Sequence, residues 1–174
     1  DGTARILDVH LQLLLEDPWI DEETACRAML TVMGSTAPAA AESVRREDVL
    51  SRLAVDRMNP ASIAYSLTAA RENARRAREI VSTELWEVLN TTSARMPRRL
   101  QTDKVHEFFQ WVRERAALAT GIVDSSTSRD ESWQFFTLGR SIERADMTAR
   151  LLATRSLTEA SGPSWTTILR SCGA

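Results

Sequence analysis

The chain has 174 residues, 43% of them apolar, enough for one domain with a substantial core and short for two. Its 22 basic and 24 acidic residues leave a formal net charge of −2, which makes no electrostatic case for nucleic acid as a partner. Six glycines and five prolines disfavour a turn-rich β architecture, and no apolar run approaches the ~20 residues that span a bilayer. Lys104 is the single lysine, so arginine carries almost all the positive charge, and its forked donors suit carboxylates and phosphates. Cys26 and Cys172 form no CxxC pair, and a reducing cytoplasm is the expected location.

Apolar spacing predicts helix almost throughout. Ile6, Leu7, Val9, Leu13 and Leu14 form a first amphipathic segment that stops near Asp17-Pro18. Residues 21–33 form a second, with Asp21, Glu22 and Glu23 suiting the helix dipole and Gly34 as its stop. Small and polar residues over 35–43 predict a loop, and a third helix covers about 46–58. Asn59-Pro60 signals another start, with Asn59 as cap and Pro60 at the first helical position. From there Ile63, Leu67, Ala70, Ala74, Ala77, Val81, Leu85 and Val88 recur at spacings of three and four. That stripe predicts one long helix over about 60–90.

Residues 103–123 form the next helix, with Val105, Phe108, Val112, Ala119 and Ile122 inward. Ser128 and Glu131 predict a capping box that opens a second long helix over about 130–156. Gly162-Pro163 breaks it, and a last short helix begins near Trp165. No segment alternates as a strand does. The expected fold is all-α, an up-and-down helical bundle with two long helices.

The helix at 130–156 has an apolar stripe of Phe135, Leu138, Ile142, Ala145, Ala149 and Leu152, expected to face the core. Thr137, Ser141, Arg144, Thr148 and Arg155 lie nearly opposite and are expected to face water. Trp133 and Leu151 border this outward arc, and Trp133 is expected to pack against residues outside 1–174 or against a partner protein. Glu143, Asp146 and Arg150 fall on neither arc and share a side with Phe136, Gly139 and Met147. In the helix at 60–90, Arg71 and Arg78 flank the stripe on one side, while Ser66, Asn73 and Glu84 line the other. If the two helices are neighbours, both arginines meet Glu143 and Asp146 in a partly buried ionic cluster. Such a cluster fixes helix register, binds an anionic or peptide-like ligand, or dissolves into plain surface pairs.

Motifs for other chemistry are missing. Asp103-x-x-His106 resembles half of a bundle di-metal site, but that site needs a second such motif and two more carboxylates, so no metal is expected. There is no phosphate loop, dinucleotide fingerprint, GxSxG or SxxK, and no cofactor is expected. Glu143 with Asp146 remains the one candidate acid/base pair.

Two stretches, NPASIAYSLTAARENARRAREIVSTELWEVLN (59–90) and RDESWQFFTLGRSIERADMTARLL (129–152), resemble the alpha-E domain family, bacterial all-helical proteins with an ER motif, here Glu143-Arg144. The resemblance covers most of residues 1–174. Its pattern falls on Arg71, Glu72, Asn73, Arg78, Glu84, Trp86 and Asn90, and on Trp133, Gly139, Arg140, Glu143, Arg144, Asp146 and Arg150. It implies that residues 1–174 are a single helical domain, a fragment of a longer one with its first ER helix truncated and its C-terminal part missing. It also implies a neighbourhood: a circularly permuted ATP-grasp protein, often with a transglutaminase-like protein. The function it points to is a non-catalytic helical partner of an ATP-grasp amide ligase, binding the ligase or its peptide substrate. The alternative is an enzyme with Glu143 or Asp146 as acid/base. An internal repeat agrees with two ER copies: Asp1, Thr3, Ala4, Arg5 and Leu7 match Asp146, Thr148, Ala149, Arg150 and Leu152, so a Glu-Arg pair is expected just upstream of Asp1.

Overall fold

The computed structural model describes residues 1–16, 19–36, 39 and 42–157; the expected break at Gly162-Pro163 and the short helix near Trp165 lie outside them. The elements are α1 (Gly2–Glu16), α2 (Glu22–Val32), α3 (Arg46–Leu50) running into a π-helical turn (Ser51–Val55), α4 (Ile63–Arg76), α5 (Thr83–Arg95), a 3-10 turn (Thr102–Lys104), α6 (Val105–Ser126) and α7 (Glu131–Leu157). Among the described residues there is no strand. The protein is an all-α bundle. α4 packs on α5, α5 on α6 and α6 on α1, while α7 lies against α1 and α2.

The core forms where the apolar stripes of the early helices meet α6. Ala4, Ile6, Leu7 and Leu11 of α1 join Cys26, Met29 and Leu30 of α2, Val49, Leu50, Leu53 and Ala54 around the π-helical turn, and Phe108, Phe109 and Val112 of α6. Val105, Phe108 and Val112 point inward as their spacing predicts, and Phe109 is fully enclosed beside them. Asp21 caps α2 by accepting from Thr24 N at 2.9 Å, and Glu22 and Glu23 occupy its first turn. Gly34 ends the segment with φ +73°, a conformation that side chains with a Cβ rarely adopt.

The long helix expected over 60–90 is two helices. Arg71 Nε donates to Asn90 Oδ1 at 2.7 Å, although 19 residues of one α-helix would separate them by about 28 Å. The chain leaves α4 at Ala77 and turns through residues 78–81. Ser82 then adopts an extended conformation and accepts from Leu85 N, with Glu84 in the new first turn. No glycine or proline marks this break. A serine cap and one acidic residue are enough to restart the helix, and the hydrophobic stripe continues because both halves face the same neighbours.

Three other local expectations shift by a few residues. Ser62, not Asn59, caps α4, accepting from Tyr65 N at 2.9 Å. Asn59 holds the preceding turn, donating to Ser35 Oγ and to the Arg52 carbonyl and accepting from Ala61 N. The helix expected over 46–58 ends at Val55 after its π-helical turn. At α7, Asp130 is the residue that accepts from Trp133 N, at 3.2 Å, so the capping contact sits two residues beyond Ser128.

α7 is turned the other way round from the expectation. Phe135, Leu138, Ile142 and Leu152 are 71%, 52%, 60% and 47% exposed, whereas Leu151, expected at the outward border, is buried in the core. The cause lies in what α1 and α2 offer. Arg150 reaches the C-terminal end of α2 and donates to the Val32 carbonyl at 2.6 Å, a cation on the negative end of a helix. Gly2 of α1 sits so close that an added Cβ would lie 2.6 Å from Met147 Cγ. These contacts require Met147, Arg150 and Leu151 to face inward, and the apolar stripe on the far side is left outside.

Candidate functional site

The expected single cluster of Arg71 and Arg78 with Glu143 and Asp146 does not form. Among the described residues no ion pair joins either arginine to either carboxylate. The charged residues fall instead into two groups on different helix pairs.

The first group is held by α4 and α5. Trp86 projects from the first turns of α5, and the guanidinium groups of Arg71 and Arg78 lie over its ring at 5.4 and 5.5 Å. Asn90, one helical turn beyond Trp86, fixes Arg71 in place through the 2.7 Å hydrogen bond. Arg71 and Trp86 are half-buried and Arg78 is exposed. Glu72 is fully engaged by Arg75 at 2.6 Å and Arg76 at 3.3 Å, and hydrogen bonding from Arg75 pulls its pKa down to about 2. Asn73 and Glu84 are exposed and lie outside the stack. Four positions picked out by the family resemblance thus converge here. Helical-wheel reasoning missed this, because it treated 60–90 as one straight helix.

The second group is the ER corner, where α7 meets α1 and α2. Glu143 accepts from Gly2 N at 3.1 Å, an otherwise unpaired donor in the first turn of α1. Asp146 pairs with Arg150 at 2.8 Å, and Arg150 extends on to Val32. Glu143, Arg144 and Asp146 are exposed and Arg150 is half-buried. The Arg144 side chain makes no hydrogen bond or ion pair among the described residues and stands in solvent, as its place on the helix predicts. The repeat is visible in space as well. Asp1 and Arg5 form the same i,i+4 pair, at 3.0 Å, as Asp146 and Arg150, and Gly2 touches Met147, the residue it aligns with. Two similar segments therefore cross at equivalent positions.

This corner is chemically quiet. One carboxylate is committed to a backbone N–H and the other to arginine. Glu143 positions α1, and Asp146 orients Arg150.

Elsewhere, Asp8 of α1 receives both the His106 ring nitrogen Nδ1 and Arg113 Nη1 from α6. His106 is thus engaged with Asp8 and not with Asp103, its expected i,i+3 companion. Arg115 of α6 donates from Nε to Thr92 Oγ1 at 2.8 Å and from Nη2 to Thr91 Oγ1 and the Val88 carbonyl. No spacing rule singled out Arg113 or Arg115; an arginine on a mostly apolar arc is the only sequence signal for Arg115. Trp133 is half-buried beneath Arg129, 4.5 Å from its ring, and its Nε1 is enclosed without a partner. The described residues contain no group of three or more His, Cys, Asp or Glu able to hold a metal.

An open groove of about 460 Å3 lies where the chain passes from α5 to α6. Phe108 and Trp111 form its apolar side, their rings 6.0 Å apart, together with Pro97 and Leu100. Arg95, Arg99 and Lys104 line it with Gln101 and Glu107, three basic groups against one acidic.

The geometry of the described residues defines a helical bundle whose charged residues brace helix junctions and whose surface offers a basic, aromatic groove and a bare apolar helix face. The chain belongs to the Alpha-E family: that family's model, described as a predicted alpha-helical domain with a conserved ER motif, matches residues 1–174. No curated protein and no solved structure matches it. No helix among the described residues is long and apolar enough to cross a membrane.

Proposed function

We propose that this chain is a cytoplasmic, non-catalytic helical partner of a bacterial circularly permuted ATP-grasp amide ligase, binding the ligase or its peptide substrate. The observation that carries the reading is the groove between α5 and α6. Phe108 and Trp111 give an apolar wall for a side chain, and Arg95, Arg99 and Lys104 attract a carboxylate from an acidic residue or a peptide C-terminus. Peptides that end in or carry carboxylates are the material an amide ligase extends. The ER corner supports the same reading, since Glu143 and Asp146 are spent on helix contacts.

The test is ATP turnover by the ATP-grasp protein encoded beside this chain, with an acidic peptide acceptor, measured with and without the chain. Addition of the chain is expected to lower the KM for the peptide, and Trp111→Ala with Arg99→Glu is expected to remove that effect. Turnover and KM that ignore the chain overturn the reading.

A further inference from the structure

The bare face of α7 has a periodicity that a solvated helix does not need. Phe135, Leu138, Ile142, Ala145, Ala149 and Leu152 are spaced three, four, three, four and three, the a/d pattern of a coiled-coil seam sustained over 18 residues, or about 27 Å. All six are exposed, because α7 packs within the molecule through the opposite arc of Met147, Arg150 and Leu151. A strict 3.5-residue repeat keeps one stripe aligned with one facing helix, whereas a helix meant for water gains nothing from it.

The seam is complementary to itself. When a second copy is laid antiparallel about a two-fold axis between residues 143 and 144, Phe135 faces Leu152, Leu138 faces Ala149, and Ile142 faces Ala145. In the inner two layers a large side chain meets an alanine, and in the outermost a phenylalanine meets a leucine, so the helices approach closely without clash. The parallel alternative stacks Phe135 on Phe135 and leaves Ala145 and Ala149 facing their own copies across gaps. Flanking charge does not oppose the antiparallel pairing. Gly139 would lie opposite Asp146, and Ser141 opposite Thr148; Asp146, the one charge among these four, is already paired with Arg150.

We infer that α7 is a homodimerisation helix, its Phe135–Leu152 seam closing antiparallel on the same seam of a second copy. An interface built on one helix pair is at the small end of stable interfaces, so self-association is expected at roughly micromolar to tens of micromolar protein. It does not depend on the groove or on any ligase.

Sedimentation equilibrium of the 174-residue chain across that range is expected to show a monomer–dimer equilibrium. Ile142→Glu, at an exposed position that leaves the monomer's circular dichroism intact, is expected to weaken dimerisation by at least about tenfold. Register is tested in a Cys172→Ser background with a short bis-maleimide. Leu138→Cys chains mixed with Ala149→Cys chains should cross-link into heterodimers, and Leu138→Cys chains alone should not. A chain that stays monomeric, whose α7 face then belongs to some other partner, overturns the inference. So does a dimer indifferent to Ile142→Glu, or efficient cross-linking of Leu138→Cys to itself.

Discussion

At the scale of single residues, burial decides which side chains titrate. The His10 ring nitrogen Nε2 is enclosed without a hydrogen-bond partner, and burial pushes the imidazole pKa down to about 4. An unfolded chain has its histidines near 6.5, so between pH 6.5 and 4 the unfolded state binds a proton that the folded state refuses. Stability is therefore complete above about pH 6.5 and falls as the solution is acidified toward pH 4. The loss over that window is about 3 kcal/mol. Urea midpoints for the wild type and His10→Gln at pH 7 and pH 4.5 check this: the variant should lose about 2 kcal/mol less on acidification. Equal losses in both would show that His10 is already solvated. The Cys26 thiol follows the same logic, since burial pushes it up to about 12 and keeps the thiolate, the reactive form, out of reach at neutral pH.

At the scale of elements, the informative contrast is between two charges on α7 that look alike in sequence. Arg150 reaches into the junction and satisfies the Val32 carbonyl at the end of α2, while Glu143 makes one hydrogen bond from an exposed position. Replacing Arg150 with Met keeps the aliphatic stem but leaves that carbonyl and Asp146 without their cation, at a cost of about 2 kcal/mol. Glu143→Gln retains an acceptor for Gly2 N and should cost less than about 1 kcal/mol. Urea unfolding of the two variants gives the order. A Glu143→Gln cost above that of Arg150→Met would reinstate Glu143 as a buried, partnered charge. The α4–α5 break shows how little separates one element from two. The stripe from Ile63 to Val88 is correct for both helices, yet the Ser82 hydroxyl, one cap among many serines, turns the chain back so that Arg71 meets Asn90.

Across the whole molecule, α6 ties the bundle together by reaching both sides with polar side chains. Arg113 and His106 meet Asp8 of α1, and Arg115 stitches onto α5 at Thr92, which is buried. Arg115→Ala removes three hydrogen bonds and opens a cavity beside Thr92, whose hydroxyl keeps its bond to the Val88 carbonyl, so a loss of about 2–3 kcal/mol is expected. Thermal unfolding should show it as one cooperative transition at lower temperature. A separate early transition of α4 and α5 would instead mean that they fold independently of α6.

The sequence by itself determined the class of this protein. Scarce glycine and proline, near-continuous helical periodicity and the acidic start of α2 at Asp21 act within a few residues of themselves, and no tertiary arrangement needs to be known for them to work. Ile6 and Leu7 of α1 and Val105, Phe108 and Val112 of α6 were legible for the same reason, whereas Leu11, Phe109 and Val123, also buried, were not marked by the spacing, and Ala119 and Ile122 are only half-buried. Part of the Arg71, Arg78, Trp86 and Asn90 group was legible only as a set of positions, and their meeting depended on a turn without any breaker residue. Tertiary structure alone decided how α7 sits. That helix has two faces able to bury apolar surface, and periodicity ranks them by hydrophobicity without knowing what lies opposite. A glycine in α1 that admits Met147 and a helix end in α2 that attracts Arg150 outweighed the larger stripe, because a close approach and a charge-assisted hydrogen bond depend on where neighbouring backbone lies.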